Sequence, residues 1–169
     1  MPHPAAIAAE TLLKDCSVER TRRSGPGGQH RNKVETAIVL THRPTGVQAE
    51  ASERRSQPEN LAVATSRLRV TLAISIRQEV NWEAEPSELW RSRCVNQKIR
   101  VNPEHDLFPT LLAEALDVLA ASDWDVPAAA QKLGCSGTQL AKFLQLESRA
   151  FAALNQQRQV RGLHPLKPG

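Results

Sequence analysis

The residues best suited to chemistry form one run near the N-terminus, Ser24-Gly-Pro-Gly-Gly-Gln-His-Arg-Asn-Lys33. Gly27 and Gly28 lack side chains and adopt positive φ angles easily, so the main chain there can approach another molecule closely. Gln29 then presents an amide that donates and accepts hydrogen bonds but does not titrate. Such a tip could align a water molecule without itself acting as a base.

This run has two alternative interpretations, a glycine-rich turn without function and a phosphate-binding loop. A glycine-rich turn without function explains the glycines but not the basic residues around them, which are Arg20, Arg22, Arg23, Arg31 and Lys33. A phosphate-binding loop does not fit, because no Gly-Lys-Ser/Thr closes the Walker pattern and no helix with the dinucleotide spacing follows. We therefore interpret the run as a projecting loop surrounded by positive charge.

The charges are unevenly distributed along the chain. The stretch from Arg20 to Arg55 contains eight basic and three acidic residues, whereas residues 101–127 contain six acidic residues and no Lys or Arg. The stretch from Ala128 to Gly169 contains six basic residues and one acidic residue. This distribution favours a polyanionic partner such as RNA, with a solvated charged surface as the alternative.

The elements around the loop indicate a small α+β domain. We predict a helix over 4–14, a strand over 16–21, and an antiparallel hairpin whose strands are 36–42 and 46–51. Ser56 and Glu59 form a capping box that begins a long helix. The apolar stripe expected to pack this helix on the sheet is Leu61, Ala64, Leu68, Leu72 and Ile76.

The rest of the chain is predicted to be a connector followed by helices. Asp106 and Asp125 are candidate helix caps, and Ser136 with Gln139 is a second capping box. The segment around Gly134 has helix-turn-helix spacing, and a further helix is predicted over 147–160. We favour packing or docking on RNA or protein for this segment over sequence-specific DNA binding. The exposed positions of its second helix would include Gly137, Thr138, Ala141 and Lys142, which together are poor base readers.

The predicted domains are thus a catalytic domain at 1–80, a connector at 81–103 and a helical domain at 104–169. Trp90, in the connector, is expected to pack rather than stack on bases, since one aromatic residue is not a stacking platform. The cysteines Cys16, Cys94 and Cys135 have neither metal-ligand nor disulfide spacing. The histidines form no metal constellation, so no metal and no cofactor are expected. No membrane span and no secretory signal are predicted.

Three motifs together resemble the catalytic domain of class I peptide chain release factors. The motifs are Ser24-Gly-Pro-Gly-Gly-Gln-His-x-Asn-Lys33, Thr41-His-x-Pro-Thr-Gly46 and Glu53-Arg-x-Ser-Gln57, in the family's order and spacing. The likeness covers about residues 15 to 79. One departure is Arg31, where the family usually has a small aliphatic residue.

The resemblance implies hydrolysis of the peptidyl-tRNA ester in the ribosomal peptidyl transferase centre. The main-chain N–H of Gln29 would stabilise the developing oxygen charge, its amide would position water, and Gly27 and Gly28 would permit the backbone geometry. The residues expected to contact RNA are Arg20, Arg22, Arg23, Arg31 and Lys33. Arg54, Arg55 and Gln57 are expected either to contact RNA as well or to support the loop.

The resemblance also implies the partners, namely the rRNA of the large ribosomal subunit and the P-site peptidyl-tRNA. A glutamine methyltransferase acting on Gln29 is expected by analogy, and the protein is expected to be a cytoplasmic monomer. Little sequence precedes the domain and no codon-reading module is evident after it, so we expect a codon-independent factor that rescues stalled ribosomes. The alternatives are a non-enzymatic ribosome- or RNA-binding factor and a helix-turn-helix DNA-binding regulator.

Overall fold

The computed structural model describes residues 1–22 and 35–169 of the chain. The chain forms two compact units, Met1–Ser75 and Ile76–Gly169, which we call the sheet unit and the helical unit. The fold is α+β, as the sequence predicted. The three-part domain division at residues 80 and 103 stays a prediction.

The N-terminal segment differs from its prediction. Instead of one helix over 4–14, a 3₁₀ helix at Pro4–Ala6 precedes α1 at Ala9–Lys14. Ile7 between them has extended backbone, with φ −71° and ψ 134°. The buried Arg69 donates from Nε to the carbonyl oxygen of Ala5 at 3.1 Å. This tertiary contact, which the local alanine-rich pattern does not encode, holds the first turn apart from α1.

The sheet unit contains three antiparallel strands in the order β1-β2-β3, which are Cys16–Thr21, Ala37–His42 and Gln48–Ala51. The predicted first strand and the predicted hairpin are confirmed. At the hairpin turn, Gly46 has a φ of +72°, a conformation that L side chains rarely adopt. The His42 N–H donates to the Val47 carbonyl oxygen at 2.8 Å and closes this turn.

The long helix α2 spans Gln57–Ser75 and supplies the other half of the sheet unit's core. Ala64, Leu68 and Leu72 of the predicted stripe are fully buried, and each buried leucine contributes about 1.5–3 kcal/mol. Ile76 lies just beyond the end of the helix. At the other end, the Glu59 N–H donates to Ser56 Oγ at 3.3 Å. The capping box predicts that the Glu59 carboxylate accepts from the backbone N–H of Ser56. In the structure the carboxylate accepts from the Ser56 hydroxyl instead.

The helical unit contains five helices and one short hairpin among the residues described. The helices are α3 at Glu88–Arg93, α4 at Phe108–Ala121, α5 at Val126–Leu133, α6 at Gly137–Gln145 and α7 at Ser148–Val160. The hairpin strands are β4 at Cys94–Val95 and β5 at Lys98–Ile99. The predicted helix-turn-helix spacing is realised by α5 and α6, with Gly134 between them at a φ of +73°.

Of the three helix caps predicted in the helical unit, those of Asp125 and Ser136 are confirmed. Asp125 accepts from the Ala128 N–H at 3.0 Å, and Ser136 accepts from the Gln139 N–H at 3.1 Å. The prediction for Asp106 is wrong, because α4 begins one residue later than that cap requires. Leu107 occupies the N-cap position without a side-chain cap, and its N–H donates to His105 Nδ1 at 3.1 Å.

An aromatic cluster forms the centre of the helical unit. Trp90 is fully buried and donates from Nε1 to the Leu133 carbonyl oxygen at 2.8 Å. The Phe143 ring meets both Trp90 and Phe108 edge to face, with centroids 5.6 Å apart in each pair. The prediction that Trp90 packs rather than stacks on bases is confirmed.

Candidate functional site

The predicted catalytic residues Gly27, Gly28 and Gln29 lie outside the residues that the structure describes. So do three of the predicted RNA-binding residues, Arg23, Arg31 and Lys33. Their roles stay predictions. The structure does describe the elements from which this segment begins and to which it returns, and these elements determine where the segment starts.

Strands β1 and β2 bring the two ends of the segment together. Thr21 pairs with Ala37 and Arg20 with Ile38, so the last pair of the ladder lies where the chain leaves β1 and re-enters at β2. Opposite Cα atoms in such antiparallel pairs are about 4.5–5.5 Å apart. Residues 22–36 therefore leave and return at one end of the sheet, which we call the loop base.

Gln57, the first residue of α2, makes hydrogen bonds on both sides of the loop base. Its Oε1 accepts from Arg20 Nε at 3.0 Å, and its Nε2 donates to the Glu35 carbonyl oxygen. The predicted RNA contact of Gln57 is not tested by these bonds. They do show that both ends of its amide already have partners within the protein.

Asn60 is a residue that the sequence reasoning missed. It is fully buried one turn further along α2, and its Nδ2 donates to the carbonyl oxygens of Thr36 at 2.7 Å and Arg54 at 3.1 Å. Its Oδ1 accepts from the Arg54 N–H at 3.0 Å. An asparagine in the first turns of an amphipathic helix is usually solvated, so no signal in this single sequence marked it.

Four of the predicted RNA-binding residues are described and exposed, namely Arg20, Arg22, Arg54 and Arg55. Arg20 is tied to the loop base by Gln57, and the backbone of Arg54 is held there by Asn60. The nearby acid Glu53 pairs with Arg67, and the hydrogen bond from Arg67 lowers the pKa of Glu53. The negative charge of Glu53 is therefore paired with Arg67, which reduces its attraction for Arg54 and Arg55.

The second sequence motif, at residues 41–46, lies at the opposite end of the sheet from the loop base. His42 pairs with Cys16, is buried, and shares a hydrogen bond of 2.7 Å between its Nδ1 and Thr45 Oγ1. Burial lowers the pKa of His42. This histidine therefore stabilises the hairpin turn rather than serving as an acid or base at the loop.

The cysteines are not poised for nucleophilic chemistry. All three are free, and Cys16 and Cys135 are buried. Burial raises the pKa of each thiol, that of Cys135 to about 12. Within residues 1–22 and 35–169, no group of three or more His, Cys, Asp or Glu residues could hold a metal ion. In that same part of the chain, no helix is both long and apolar enough to cross a lipid bilayer.

A comparison with known protein families finds one family whose model covers most of the sheet unit. The family model of the RF-1 domain matches residues 6–105, which include the sheet, the loop and α2. The chain belongs to the RF-1 domain family. This is the family of the translation release factors, as the resemblance of the three motifs predicted.

Several relatives share the RF-1 domain with this chain. Peptide chain release factor 1 of Frankia casuarinae is 31% identical over 150 residues, which cover 78% of this chain and 42% of that protein. Peptide chain release factor 2 of Campylobacter fetus is 41% identical over 86 residues, covering 49% of this chain and 23% of that protein. Peptide chain release factor 1 of Geobacter sulfurreducens is 37% identical over 81 residues, covering 48% and 23%. The chain spans less than half the length of each of these relatives.

Proposed function

We propose that this protein hydrolyses the ester bond of peptidyl-tRNA on the ribosome, with Gly27, Gly28 and Gln29 at the reacting atoms. The observation that carries the proposal is the RF-1 domain match over residues that include this run. The loop base supports it, because the described residues that flank the run, Thr21 and Ala37, are paired at one end of a sheet against which α2 packs.

The proposed chemistry assigns one role to each residue. The main-chain N–H of Gln29 donates to the oxygen that becomes negative as water attacks the ester carbonyl, which is oxyanion stabilisation by backbone. The side-chain amide of Gln29 positions that water and excludes bulkier nucleophiles. Gly27 and Gly28 allow the main chain to reach the ester. The peptidyl-tRNA and the ribosome supply the other groups at the reaction centre.

RNA binding is proposed for the basic residues around the loop. Arg20, Arg22, Arg54 and Arg55 are exposed at or near the loop base, and Arg23, Arg31 and Lys33 lie within the segment itself. Guanidinium groups suit phosphate oxygens because they present several donors in a fixed plane. The proposed partners are the large-subunit rRNA and the P-site tRNA, so the protein would work in the cytoplasm.

We further propose that release by this protein does not depend on a stop codon. Reading a codon requires side chains that pair with base edges. Of the four outward positions of α6 in the helix-turn-helix segment, Gly137 and Ala141 have no side-chain donor or acceptor for a base, which leaves the exposed Thr138 and Lys142 as the polar ones. The helical unit would therefore dock on RNA or protein without reading sequence.

A release assay on three kinds of ribosome tests both proposals. Ribosomes carrying labelled peptidyl-tRNA are programmed with a truncated message, an intact sense message or a stop codon in the A site. Release from the truncated complex supports the codon-independent activity, and release only at the stop codon contradicts it while leaving the hydrolase proposal intact. Binding without release from any complex would favour the non-enzymatic alternative.

A further inference from the structure

The hydrogen bonds of Gln57 and Asn60 meet at the loop base, on both sides of the segment that carries Gln29. Gln57 joins Arg20, before the segment, to Glu35, after it. Asn60 holds the Thr36 carbonyl oxygen at 2.7 Å. We call Gln57 and Asn60 the loop clamp.

The burial of Asn60 shows that its contacts are specific. A buried amide costs free energy unless its donors and acceptor are paired, and here both N–H groups and the oxygen of Asn60 are used. A polar network in which every donor and acceptor is paired favours one backbone conformation over alternative conformations that would leave some of these groups unpaired. The arrangement selected includes the return of the chain at Thr36 and the backbone of Arg54.

The clamp is built on a rigid support. Gln57 and Asn60 are three residues apart, so they lie on the same face of α2. The same helix is held against the sheet by Ala64, Leu68 and Leu72, which are fully buried. The buried residues therefore fix α2 against the sheet, and the amides of Gln57 and Asn60 connect α2 to the loop base by hydrogen bonds.

We propose that Gln57 and Asn60 are positioning residues that fix the base of the 23–34 segment and thereby determine where Gln29 is presented. This inference rests on the proposed function and decides between the two roles that the sequence predicts for Gln57, because it assigns Gln57 to support of the loop rather than to RNA contact. A misplacement of about 1 Å at a reacting group can cost up to 10²-fold in rate, so a loss of clamp hydrogen bonds should lower the rate of the bound complex.

The test compares two neutral variants of the same type. Gln57→Met keeps the length of the side chain but removes both clamp bonds. Gln48→Met is the matched control, because Gln48 Nε2 donates to Thr41 Oγ1 at 2.9 Å at the far end of the same sheet. A second pair of variants is Asn60→Ala with Asn155→Ala as its control. The Asn155 side chain also bonds backbone, because its Nδ2 donates to the Leu166 carbonyl oxygen and its Oδ1 accepts from the Leu166 N–H, but it lies in the helical unit.

Two measurements are made on each full-length variant. Hydrogen–deuterium exchange should rise roughly tenfold in a peptide covering residues 35–40 for Gln57→Met, and stay within about twofold of wild type for Gln48→Met. Single-turnover release should show a maximal rate about tenfold lower for Gln57→Met, with the half-saturating protein concentration changed less than about twofold.

The outcomes separate the clamp from the other possibilities. An unchanged maximal rate with a raised half-saturating concentration would overturn the proposal in favour of direct RNA contact by Gln57. Unchanged exchange at residues 35–40 in both clamp variants would also overturn it. If wild-type protein releases no peptide but Gln57→Met still raises exchange at the loop base, the clamp stands and the proposed hydrolase activity fails.

Discussion

The core of the sheet unit and the core of the helical unit are formed by different kinds of side chain. All six aromatic residues of the chain lie in the helical unit, where Trp90, Phe108 and Phe143 form the centre of the core. The sheet unit relies on aliphatic packing, and it joins distant elements through the amides of Gln57 and Asn60. Large aromatic side chains are a source of bulk stability, whereas paired amides select one geometry.

This difference indicates a division of labour between the units. In the sheet unit, the hydrogen bonds of Gln57 and Asn60 meet at the loop base, where the chain leaves β1 and returns to β2. In the helical unit, Asp125 and Ser136 form local caps, and the Trp90 indole joins two helices of the core through the Leu133 carbonyl oxygen. We therefore expect substitutions in the helical unit to change stability, and substitutions at the loop base to change the function of a protein that remains folded.

The largest effect on stability is expected from Trp90→Ala. Removing this fully buried indole leaves a cavity and an unpaired Leu133 carbonyl oxygen, which should lower the free energy of unfolding by about 3–5 kcal/mol. Urea denaturation monitored by the fluorescence of the remaining tryptophans measures it. Trp82→Ala is the control, since Trp82 is 42% exposed, and an equal loss in both variants would contradict the packing role of Trp90.

Removing the exposed arginine pair should weaken binding rather than the chemical step. The double variant Arg54→Ala/Arg55→Ala should raise the half-saturating concentration for release about tenfold or more, and reduce the slope of log affinity against log salt by roughly two. The maximal rate should be retained. The same measurements on Arg149→Ala/Arg158→Ala sharpen the comparison, because an equal effect there would place RNA contacts on the helical unit as well.

A smaller effect is expected from the loss of one helix cap. Asp125→Ala should lower the free energy of unfolding by about 1 kcal/mol, because the Ala128 N–H loses its acceptor. The matched control is Asp125→Asn, which removes the charge but keeps a side-chain oxygen that can accept from the Ala128 N–H. Thermal unfolding of both variants measures the difference, and equal destabilisation would mean that the cap assignment is wrong.

The smallest effect is expected from the ion pair of Glu53 and Arg67. The pKa of Glu53 is lowered in the folded protein, so the pair stabilises above the unfolded pKa and its contribution is lost as pH falls through the folded value. Both side chains are nearly half exposed, which limits the contribution to below about 1 kcal/mol. Glu53→Gln should remove this part of the acid dependence. Urea midpoints at pH 7 and pH 3 test it, and identical pH dependence in both proteins would contradict it.

The sequence predicted elements whose signals are local. The hairpin was predicted from an apolar, β-branched run at 36–42, turn residues at 43–46 and an alternating apolar pattern at 46–51. Three- and four-residue spacing marked α2, and Asp125 and Ser136 marked helix starts that the structure contains. The break after Ala6 was missed, and the turn before it has a partner far away in the sequence, since the Ala5 carbonyl oxygen accepts from Arg69, more than sixty residues away. Local patterns carry no information about such a partner.

The same reasoning separates the predicted and unpredicted parts of the site. The glycine-rich run and its basic neighbours were found because their residue types are unusual together. Asn60 was missed because its function depends on burial against Thr36 and Arg54, which becomes visible only once α2 is laid against the loop base. Gln57 was found as part of a motif, but its partners Arg20 and Glu35 were not.

Single-turnover release by Gln29→Ala tests the central claim most directly. Ribosomes carrying labelled peptidyl-tRNA and a truncated message are mixed with saturating wild-type or variant protein, and ribosome binding is measured in parallel. We predict that the variant binds like wild type while its release rate falls by about 10²-fold or more. Release at the wild-type rate by Gln29→Ala would contradict the account.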